Sequence, residues 1–346
     1  MLTIKSNGLM YIGDPHISSK NPGRRIDNWN KTIMSKMDFL IDAANRNNIV
    51  PVILGDLFHN WFESENSDQT VSTPAMISGV MRCFSRSTHP VIVLAGNHDI
   101  NDSSFSEDST LSIIDASGSA VVIKESRPYA RIITPNGNIL LGGTPYGQVM
   151  PLRMTEEMRE NDCDRCVWVV HRDIKGMGTA DGVEPFAIDG VDLVVCGHIH
   201  MTQPIVKKGD TKWFVPGNIA RLSMSEARNK PKVYMDFNNK SLKVLELPHE
   251  DIERVMDLTG RQESVDSFDR SKYDIHSKST QDLIAEMKSF GDFMSSKKTS
   301  DLSTIVDVIN TLKADGSNGL SPEVFDVVDK IISDIRSDVD DNTPVM

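Results

Sequence analysis

Short apolar runs that alternate with longer amphipathic segments constrain the fold of this chain more than any other feature. Each run is three to five residues long, which suits a buried strand better than a helix. The runs lie at residues 9–12, 50–54, 91–94, 139–141, 167–170 and 193–196. Strands and helices in alternation favour parallel pairing with right-handed crossovers. The sequence therefore predicts an α/β fold.

Helical periodicity separates the first three runs. Between the first two, apolar side chains recur at steps of three or four residues, as one face of a helix requires. These residues are Trp29, Ile33, Met37, Leu40 and Ala44. A second helix is predicted to begin with Thr73 as its cap and Pro74 at its first position. In 118–147 and 207–247 the helical pattern fades and turn residues appear, which predicts a more antiparallel region.

The distribution of charge divides the chain into two parts. The 346 residues include 49 acidic and 37 basic side chains, a net charge of −12. Residues 251–346 hold 20 acidic and 11 basic side chains, so −9 of that charge lies in the last hundred residues. This balance argues against a nonspecific polyanion binder but leaves room for a basic groove in the first part. We predict a catalytic domain at 1–250, a linker at 251–281 and an acidic helical region at 282–346, with helices at 283–293, 302–312 and 324–335.

Cysteine content and hydropathy indicate a reducing compartment. Four cysteines in so long a chain do not make a disulfide scaffold, and Cys163 and Cys166 are interpreted as ordinary thiols because a structural zinc needs four ligands. The first residues lack a basic stretch that leads into an apolar core, and no apolar run approaches the roughly 20 residues of a membrane helix. We therefore expect a cytoplasmic protein that makes no membrane contact.

Polar residues with metal-binding chemistry directly follow five of the six runs. These segments are Gly13-Asp14-Pro15-His16, Gly55-Asp56-Leu57-Phe58-His59, Gly96-Asn97-His98-Asp99, His171 and Gly197-His198-Ile199-His200. The carboxyl ends of parallel strands share one edge of a sheet, so these residues are expected to meet there. Carboxylate, amide and imidazole ligands suit two divalent ions of the manganese, iron or zinc type. The four glycines that precede the polar residues are expected to permit sharp turns.

This series of motifs resembles that of the calcineurin-like metallophosphoesterases. That family has D-x-H, G-D-x-x-[DH], G-N-H-[DE], a lone histidine and G-H-x-H, and this chain has all five in order between residues 14 and 200. The resemblance implies a four-layer α/β/β/α sandwich, here followed by the small C-terminal helical region. It also implies hydrolysis of phosphate esters by in-line attack of a metal-bound hydroxide, with two ions that lower the pKa of a bridging water.

The resemblance implies a role for each residue of the motifs. One ion would be held by Asp14, His16, Asp56 and His200, and the other by Asp56, Asn97, His171 and His198, with Asp56 as the bridge. Two further residues, His98 and His59, are candidates for catalysis. His98 would protonate the leaving oxygen or steady the phosphoryl group, and His59 would support His98 or the substrate phosphate. The alternative for both is that they only brace a metal ligand.

Within that superfamily, the chain is similar to the SbcD-type exonucleases of double-strand-break repair and recombination. The G-D-L-F-H and G-N-H-D motifs fit that branch better than the G-D-x-V-D-R-G of the serine/threonine protein phosphatases. Residues 215–222 resemble its P-G-S-x-x-R stretch, with Asn218 where serine is usual. The similarity implies exonuclease or endonuclease activity on DNA with manganese as the expected metal. The short chain is similar to phage-encoded members, for which the location would be the host cytoplasm.

The resemblance also implies a protein partner, an SMC-like ATPase of the SbcC type that the C-terminal helices would dock against. Packing of those helices on the main domain is an equal alternative, and a homodimer stays open. Two basic groups, Lys20 to Lys31 and Lys207 to Lys212, are candidates for contacts with nucleic-acid phosphates or else simply solvated turns. Trp61 and Phe62 are candidates for base stacking or for packing. Two other functions compete: hydrolysis of small nucleotides, and a non-catalytic recruitment module.

Overall fold

The computed structural model describes residues 1–258 apart from 60–71, 101–104, 156–157, 159–162, 180–181, 228 and 240. The chain divides into two compact units, Met1–Thr259 and Gly260–Met346, and every described residue belongs to the first. The three predicted C-terminal helices, most of the predicted linker, and Trp61 and Phe62 lie outside the described residues. No described helix is both long and apolar enough to cross a membrane.

The elements of the first unit alternate largely as expected. The strands are β1 (Leu2–Lys5), β2 (Leu9–Ile12), β3 (Val50–Ile53), β4 (Ile92–Leu94), β5 (Val121–Ile123), β6 (Arg127–Thr134), β7 (Gly137–Thr144), β8 (Arg165–His171), β9 (Leu193–Gly197), β10 (Gln203–Lys208), β11 (Thr211–Val215), β12 (Lys232–Asp236) and β13 (Leu242–Glu246). The helices are α1 (Trp29–Asn47), α2 (Pro74–Phe84), α3 (Thr110–Ala116) and α4 (Ile252–Val255). All six predicted strands are therefore confirmed.

The ends of the first two helices follow from local sequence. The Asn28 side chain accepts a hydrogen bond from the backbone N–H of Lys31 and caps α1. That helix ends where Asn48 adopts the left-handed conformation, with φ at 51°. Helix α2 begins as predicted, because Thr73 caps it by accepting from the backbone N–H of Met76, and Pro74 occupies its first turn.

The strands form two sheets. One has six strands in the order β13-β12-β2-β3-β4-β5, and β2 to β5 are parallel. The other has seven strands in the order β1-β6-β7-β8-β9-β11-β10, and β7, β8, β9 and β11 are parallel. Antiparallel pairs lie in or next to the two segments where the sequence predicted them, at β6–β7, β10–β11 and β12–β13, and β12 also pairs antiparallel with β2. They extend the two sheets instead of forming a separate region.

The core lies between the two sheets and on both of their outer faces. Strand β8 shows how one run serves two layers, because Val167 and Val169 face the other sheet while Trp168 and Val170 face outward. Helices α1, α2 and α3 cover the outer face of the six-stranded sheet. The α/β sandwich that the sequence predicted is therefore confirmed.

Irregular chain covers the outer face of the seven-stranded sheet. Apolar side chains of the segments that precede and follow β8 pack on Trp168 and Trp213, among them Met150, Ile174 and Ile188. The described parts of 145–192 hold no helix. Glycines at 176, 178, 182 and 190 all adopt positive φ there, which is incompatible with a continuing helix. Burial of apolar side chains, not helix formation, closes this layer.

Candidate metal centre

The five polar motifs meet at one end of the sandwich, but they come from two sheets. Those after β2, β3 and β4 leave the six-stranded sheet, and those after β8 and β9 leave the seven-stranded sheet. His171 Nδ1 lies 2.7 Å from the carbonyl oxygen of Leu54, which joins the end of β8 to the end of β3. The prediction of one shared sheet edge is therefore corrected: parallel strands of both sheets end at the same place.

Four of the predicted ligands have left-handed backbones. The φ angles are 29° at Asp14, 47° at His16, 48° at Asp56 and 75° at His198. Such angles are uncommon for residues other than glycine and collect at functional sites, where the surrounding structure holds the strained backbone in place. After β2, β3 and β9 the sharp turn thus falls on a ligand itself.

This placement corrects the role expected for the glycines. Only Gly55 has a positive φ, while Gly13, Gly96 and Gly197 do not. A Cβ atom at Gly96 would lie 2.2 Å from Asp56 Oδ1, and one at Gly197 would lie 2.2 Å from the Leu54 carbonyl oxygen. These glycines are therefore needed for space, because the ligand loops pack directly against their backbones.

One group of possible ligand atoms lies around the Asn97 side chain. Asn97 Oδ1 lies 3.0 Å from His171 Nε2 and 2.9 Å from His198 Nδ1. Asp56 Oδ2 lies 3.3 Å from the same His171 nitrogen. Asp56, His171 and His198 can offer ligand atoms that all lie within 4.8 Å of one another. These four residues are the set that the resemblance implied for the second ion.

A second group lies around the His16 ring. His16 Nε2 lies 3.2 Å from His200 Nε2 and 3.5 Å from Asp56 Oδ2, and His16 Nδ1 lies 3.0 Å from His59 Nδ1. His16, His59 and His98 can also offer ligand atoms within 4.8 Å of one another. The structure thus places both predicted catalytic histidines beside His16, in addition to the expected contacts with His200 and Asp56.

His98 and His59 lie against each other. Their rings stack with centroids 4.8 Å apart and planes 22° apart. The backbone N–H of His98 donates to Asp56 Oδ1 at 2.9 Å. His98 is therefore attached to the carboxylate that lies between the two groups, and both rings are only partly buried, so a substrate can reach them.

Asp14 contacts two residues of the group around Asn97. Its carboxylate accepts the backbone N–H of His198 at 3.1 and 3.2 Å, and its Oδ1 lies 3.5 Å from His171 Nδ1. Burial raises its pKa above the ordinary value, which the nearby His171 and His200 partly offset. Asp14 is 1% exposed, so its charge needs cationic neighbours or a metal.

The histidines of the site differ in charge. Burial would lower the pKa of His171, but Asp56 and Asp14 outweigh it and raise the value to about 9. Burial lowers the pKa of His16 well below its ordinary value and, together with His98, lowers that of His59 to about 4. Burial would raise the pKa of Asp56, yet His171 and His16 bring it below normal. Neutral His16 and ionised Asp56 are thus in the forms that bind metals, whereas His171 would have to lose a proton when an ion binds.

Two acidic residues that the sequence analysis did not assign hold the site together. Asp99 accepts the backbone N–H groups of Leu57, Phe58 and Gly96 at 3.1–3.2 Å, which ties the second motif to the third. Burial and the neighbouring Asp56 raise the pKa of Asp99 to about 7. The one sequence feature that pointed to a role for Asp99 was its position as the last residue of the G-N-H-D motif.

Glu226 is the second, and it orients His200. Its Oε1 lies 2.8 Å from His200 Nδ1, and its Oε2 accepts from Asn218 Nδ2 at 2.9 Å. Burial would raise the pKa of Glu226, but the hydrogen bond with His200 brings that pKa below its ordinary value. Burial would lower the pKa of His200, but the same hydrogen bond raises it above its ordinary value. The stretch around Asn218 thus acts on His200 through Glu226, a connection that no spacing in the sequence indicated.

Tyr146 and Asp173 lie against His198, in the group of ligands around Asn97. The Tyr146 ring centroid is 5.8 Å from that of His198 and 6.2 Å from that of His171. Asp173 Oδ2 lies 3.3 Å from His198 Nε2, which leaves Nδ1 directed at Asn97. Neither residue belongs to a motif, so the sequence could not point to them.

The basic residues predicted to contact phosphates divide into two kinds. Arg25 is buried, and its guanidinium donates to both carboxylate oxygens of Asp27 at 2.6–2.8 Å, so it is not part of a solvated turn. Lys207, Lys208 and Lys212 lie on the β10–β11 hairpin at the edge of the seven-stranded sheet. Lys208 lies 3.6 Å from Glu184.

The chemistry of this donor set fits divalent ions. Both ring nitrogens of His16 face another imidazole nitrogen, at 3.0 and 3.2 Å. A neutral His16 carries one N–H, so it can donate to only one of these neighbours. A cation between the remaining lone pairs satisfies them, and carboxylate, amide and imidazole ligands are those that manganese, iron and zinc accept.

Comparison with known proteins identifies the motif-bearing region. The family model described as Calcineurin-like phosphoesterase matches residues 9–202, more than half of the chain. No curated protein sequence matches this chain. Among solved structures, a hypothetical protein from Thermus thermophilus is similar, with 10% sequence identity, coverage of 69% of this chain and 99% of that chain, and a TM-score of 0.38.

Proposed function

Because this chain belongs to the calcineurin-like phosphoesterase family, a metal-dependent phosphoesterase class, we propose that it hydrolyses phosphodiesters in DNA. One observation carries the proposal. Asp56 Oδ2 lies 3.5 Å from His16 Nε2 and 3.3 Å from His171 Nε2, so a single carboxylate oxygen adjoins both ligand groups. This arrangement is the one that a bridging ligand between two ions needs.

The proposed ligands are those that the motifs implied. Asp14, His16, Asp56 and His200 would hold one ion, and Asp56, Asn97, His171 and His198 would hold the other, with manganese as the proposed metal and iron or zinc as alternatives. When bound, the two ions supply an acidified water and positive charge beside the phosphoryl oxygens. Glu226 and Asp173 fix the ring orientations of His200 and His198 from behind.

His98 is the proposed source of the proton for the leaving oxygen. Its backbone is fixed to Asp56, so its ring stays beside the ligand groups while it remains open to a substrate. His59 stacks on that ring and is neutral at pH 7, because its pKa is about 4. His59 therefore positions His98 without adding a charge that would compete for the phosphate.

DNA as the substrate is supported by the motif forms G-D-L-F-H and G-N-H-D and by the stretch around Asn218, which resemble SbcD-type nucleases. The contact of that stretch with Glu226 and His200 makes it part of the site's support. We extend the proposal to an SMC-like ATPase of the SbcC type as partner, which the acidic C-terminal region would contact. A homodimer is the alternative assembly.

One assay tests the proposal. The purified full chain is incubated with Mn²⁺ and end-labelled double- or single-stranded DNA, cyclic nucleotides, or bis-p-nitrophenyl phosphate. We expect DNA cleavage that His98→Ala reduces about a hundredfold or more, as general acid catalysis predicts. The matched control is His89→Ala, since His89 is only partly buried and bonds to Asn48, outside the motifs.

The same assay distinguishes the alternatives. Cleavage of small nucleotides without cleavage of DNA would favour a nucleotide phosphodiesterase or phosphatase. No turnover of any diester would favour a recruitment module and contradict the proposed function. Equal loss of activity in His98→Ala and His89→Ala would contradict the role given to His98.

A further inference from the structure

A cavity of about 670 Å³ lies beside α1, outside the metal centre. Its wall includes basic residues from α1, from the segment before α1 and from the segment between β11 and β12, together with Glu250 and several apolar residues. The residues that matter here are Arg25, Lys31, Lys36, Phe39, Arg221 and Val255. The volume is within the range of about 300–1,000 Å³ that small-molecule sites occupy.

Three of the cations in this wall are almost fully buried. Arg25, Lys36 and Arg221 are each 7% exposed. Charged side chains are rarely buried to this extent unless they are paired, because the loss of hydration is costly. What neutralises each of them therefore decides what the cavity can hold.

Few of these charges are matched by an acid. Arg25 pairs with Asp27, and its third donor goes to the carbonyl oxygen of Arg221 at 2.7 Å. Arg221 donates to the carbonyl oxygens of Ala227 and Glu250. Asp27 is thus the one carboxylate within hydrogen-bond distance of these three cations among the described residues, while Asp251 and Glu253 act on the charge of Arg221 from farther away.

Lys36 has the least compensation. Its Nζ donates to the carbonyl oxygen of Ile219 at 3.0 Å, and an ammonium has three donors to satisfy. Burial and the neighbouring Arg25 and Arg221 lower its pKa to about 8, so it is still mostly charged at pH 7. An anion in the cavity would supply the missing acceptor and the missing negative charge.

We propose that this cavity binds a phosphate-bearing small molecule of nucleotide size. The phosphate would accept from Lys36 and Arg221, since ammonium and guanidinium groups are the usual partners of phosphate. Lys31, exposed at the rim, would add to the attraction. Phe39 and Val255 would contact the apolar part of the ligand. The proposal does not depend on the nuclease activity.

The test is calorimetric titration of the full chain in excess chelator, so that the metal centre does not hold phosphate. The probes are inorganic phosphate and AMP. We expect each to bind once, with AMP about tenfold or more tighter because of the apolar wall. Equal affinities for the two probes would contradict a ligand of nucleotide size.

Two sets of variants locate the site. Ser35 is exposed and lines the cavity, so Ser35→Glu adds a negative charge without disturbing the core, while Ser35→Gln is its neutral control. We expect Ser35→Glu to weaken phosphate binding about tenfold, Ser35→Gln to leave it unchanged and Lys36→Met to abolish it. If Lys36→Met does not fold, the Ser35 pair decides alone.

Soaking of crystals with tungstate, a heavy analogue of phosphate, gives the second readout. A peak within hydrogen-bond distance of Lys36 Nζ and the Arg221 guanidinium supports the proposal. The proposal is overturned if neither probe binds or if Ser35→Glu and Ser35→Gln bind phosphate with equal affinity. It is also overturned if tungstate binds only at the metal centre.

Discussion

At the scale of single residues, the two oxygens of Asp56 have different partners. One accepts the His98 backbone N–H at 2.9 Å, and the other adjoins His16 and His171. The resemblance to the metallophosphoesterases implied that Asp56 would be the shared ligand. What they could not give is the support behind the ligands, because Glu226, Tyr146 and Asp173 come from segments without a recognisable spacing.

The first prediction concerns Asp56→Asn. An amide lacks the negative charge that two cations share, so we expect both ions to be lost and activity to fall by more than about a hundredfold. Metal content of the purified variant, measured after dialysis against Mn²⁺ and compared with wild type, checks this. Two ions per chain in the variant would contradict a bridging role.

The second prediction concerns Glu226→Gln. Loss of the charged partner of His200 should weaken Mn²⁺ affinity about 10–100-fold, because such partners orient and activate ligand histidines. Activity should recover at saturating Mn²⁺, unlike in Asp56→Asn. Glu184→Gln, at an exposed position beside Lys208, is the control. Unchanged affinity in Glu226→Gln would show that His200 does not depend on this contact.

The third prediction concerns pH and Lys36. Its folded pKa of about 8 lies below the ordinary value of 10.5, so between these values the unfolded chain binds more protons than the folded chain. Stability from this group therefore rises with pH through that window. Relative to Lys36→Met, the wild type should gain on the order of 3 kcal/mol in unfolding free energy from pH 8 to 10.5.

Urea unfolding at several pH values measures that difference. Lys124→Met is the control, because Lys124 is partly exposed and pairs with Asp115. Its profile should remain parallel to that of the wild type. If the stability of Lys36→Met also changes with pH in parallel with that of the wild type, burial does not disfavour the charged form of Lys36 in the folded state.

At the scale of elements, the strands could be predicted because each is a short buried run of apolar residues. Their division between two sheets could not, since a parallel strand reads alike in either sheet. Nor could the cover of the seven-stranded sheet, where Met150, Ile174 and Ile188 are buried without helical periodicity. Local pattern records secondary structure, whereas these features depend on contacts between distant segments.

The fourth prediction uses two glycines in different elements. A Cβ at Gly96 would lie 2.2 Å from Asp56 Oδ1, whereas one at Gly79 in α2 would meet its nearest atom at 3.9 Å. Gly96→Ala should lower stability and metal binding together. Gly79→Ala should raise stability by about 0.5–1 kcal/mol, as alanine does inside a helix. Thermal unfolding and Mn²⁺ titration measure both, and a harmless Gly96→Ala would contradict the tight packing.

At the scale of the whole molecule, the acidity and the proposed chemistry belong to different parts of the chain. The first unit carries the motifs, while the second unit holds 17 acidic and 10 basic side chains, a net charge of −7. An acidic region would repel DNA, so its proposed role is contact with a protein partner.

The fifth prediction follows from that division. A chain shortened to residues 1–259 should keep Mn²⁺-dependent hydrolysis of bis-p-nitrophenyl phosphate within about threefold, since the first unit has its own core. It should no longer bind an SMC-like ATPase partner. Steady-state kinetics measure the hydrolysis, and a separate binding assay measures the contact with the partner. Loss of hydrolysis in a folded shortened chain would place a catalytic contribution in the second unit.

The position of the ions is the most direct test of the account. Anomalous diffraction at the manganese edge, from crystals grown with Mn²⁺, locates them without reference to activity. The account predicts two peaks on either side of Asp56 Oδ2, one beside His16 and His200 and one beside Asn97, His171 and His198. A single peak among His16, His59 and His98, or no peak next to Asp56, would contradict it.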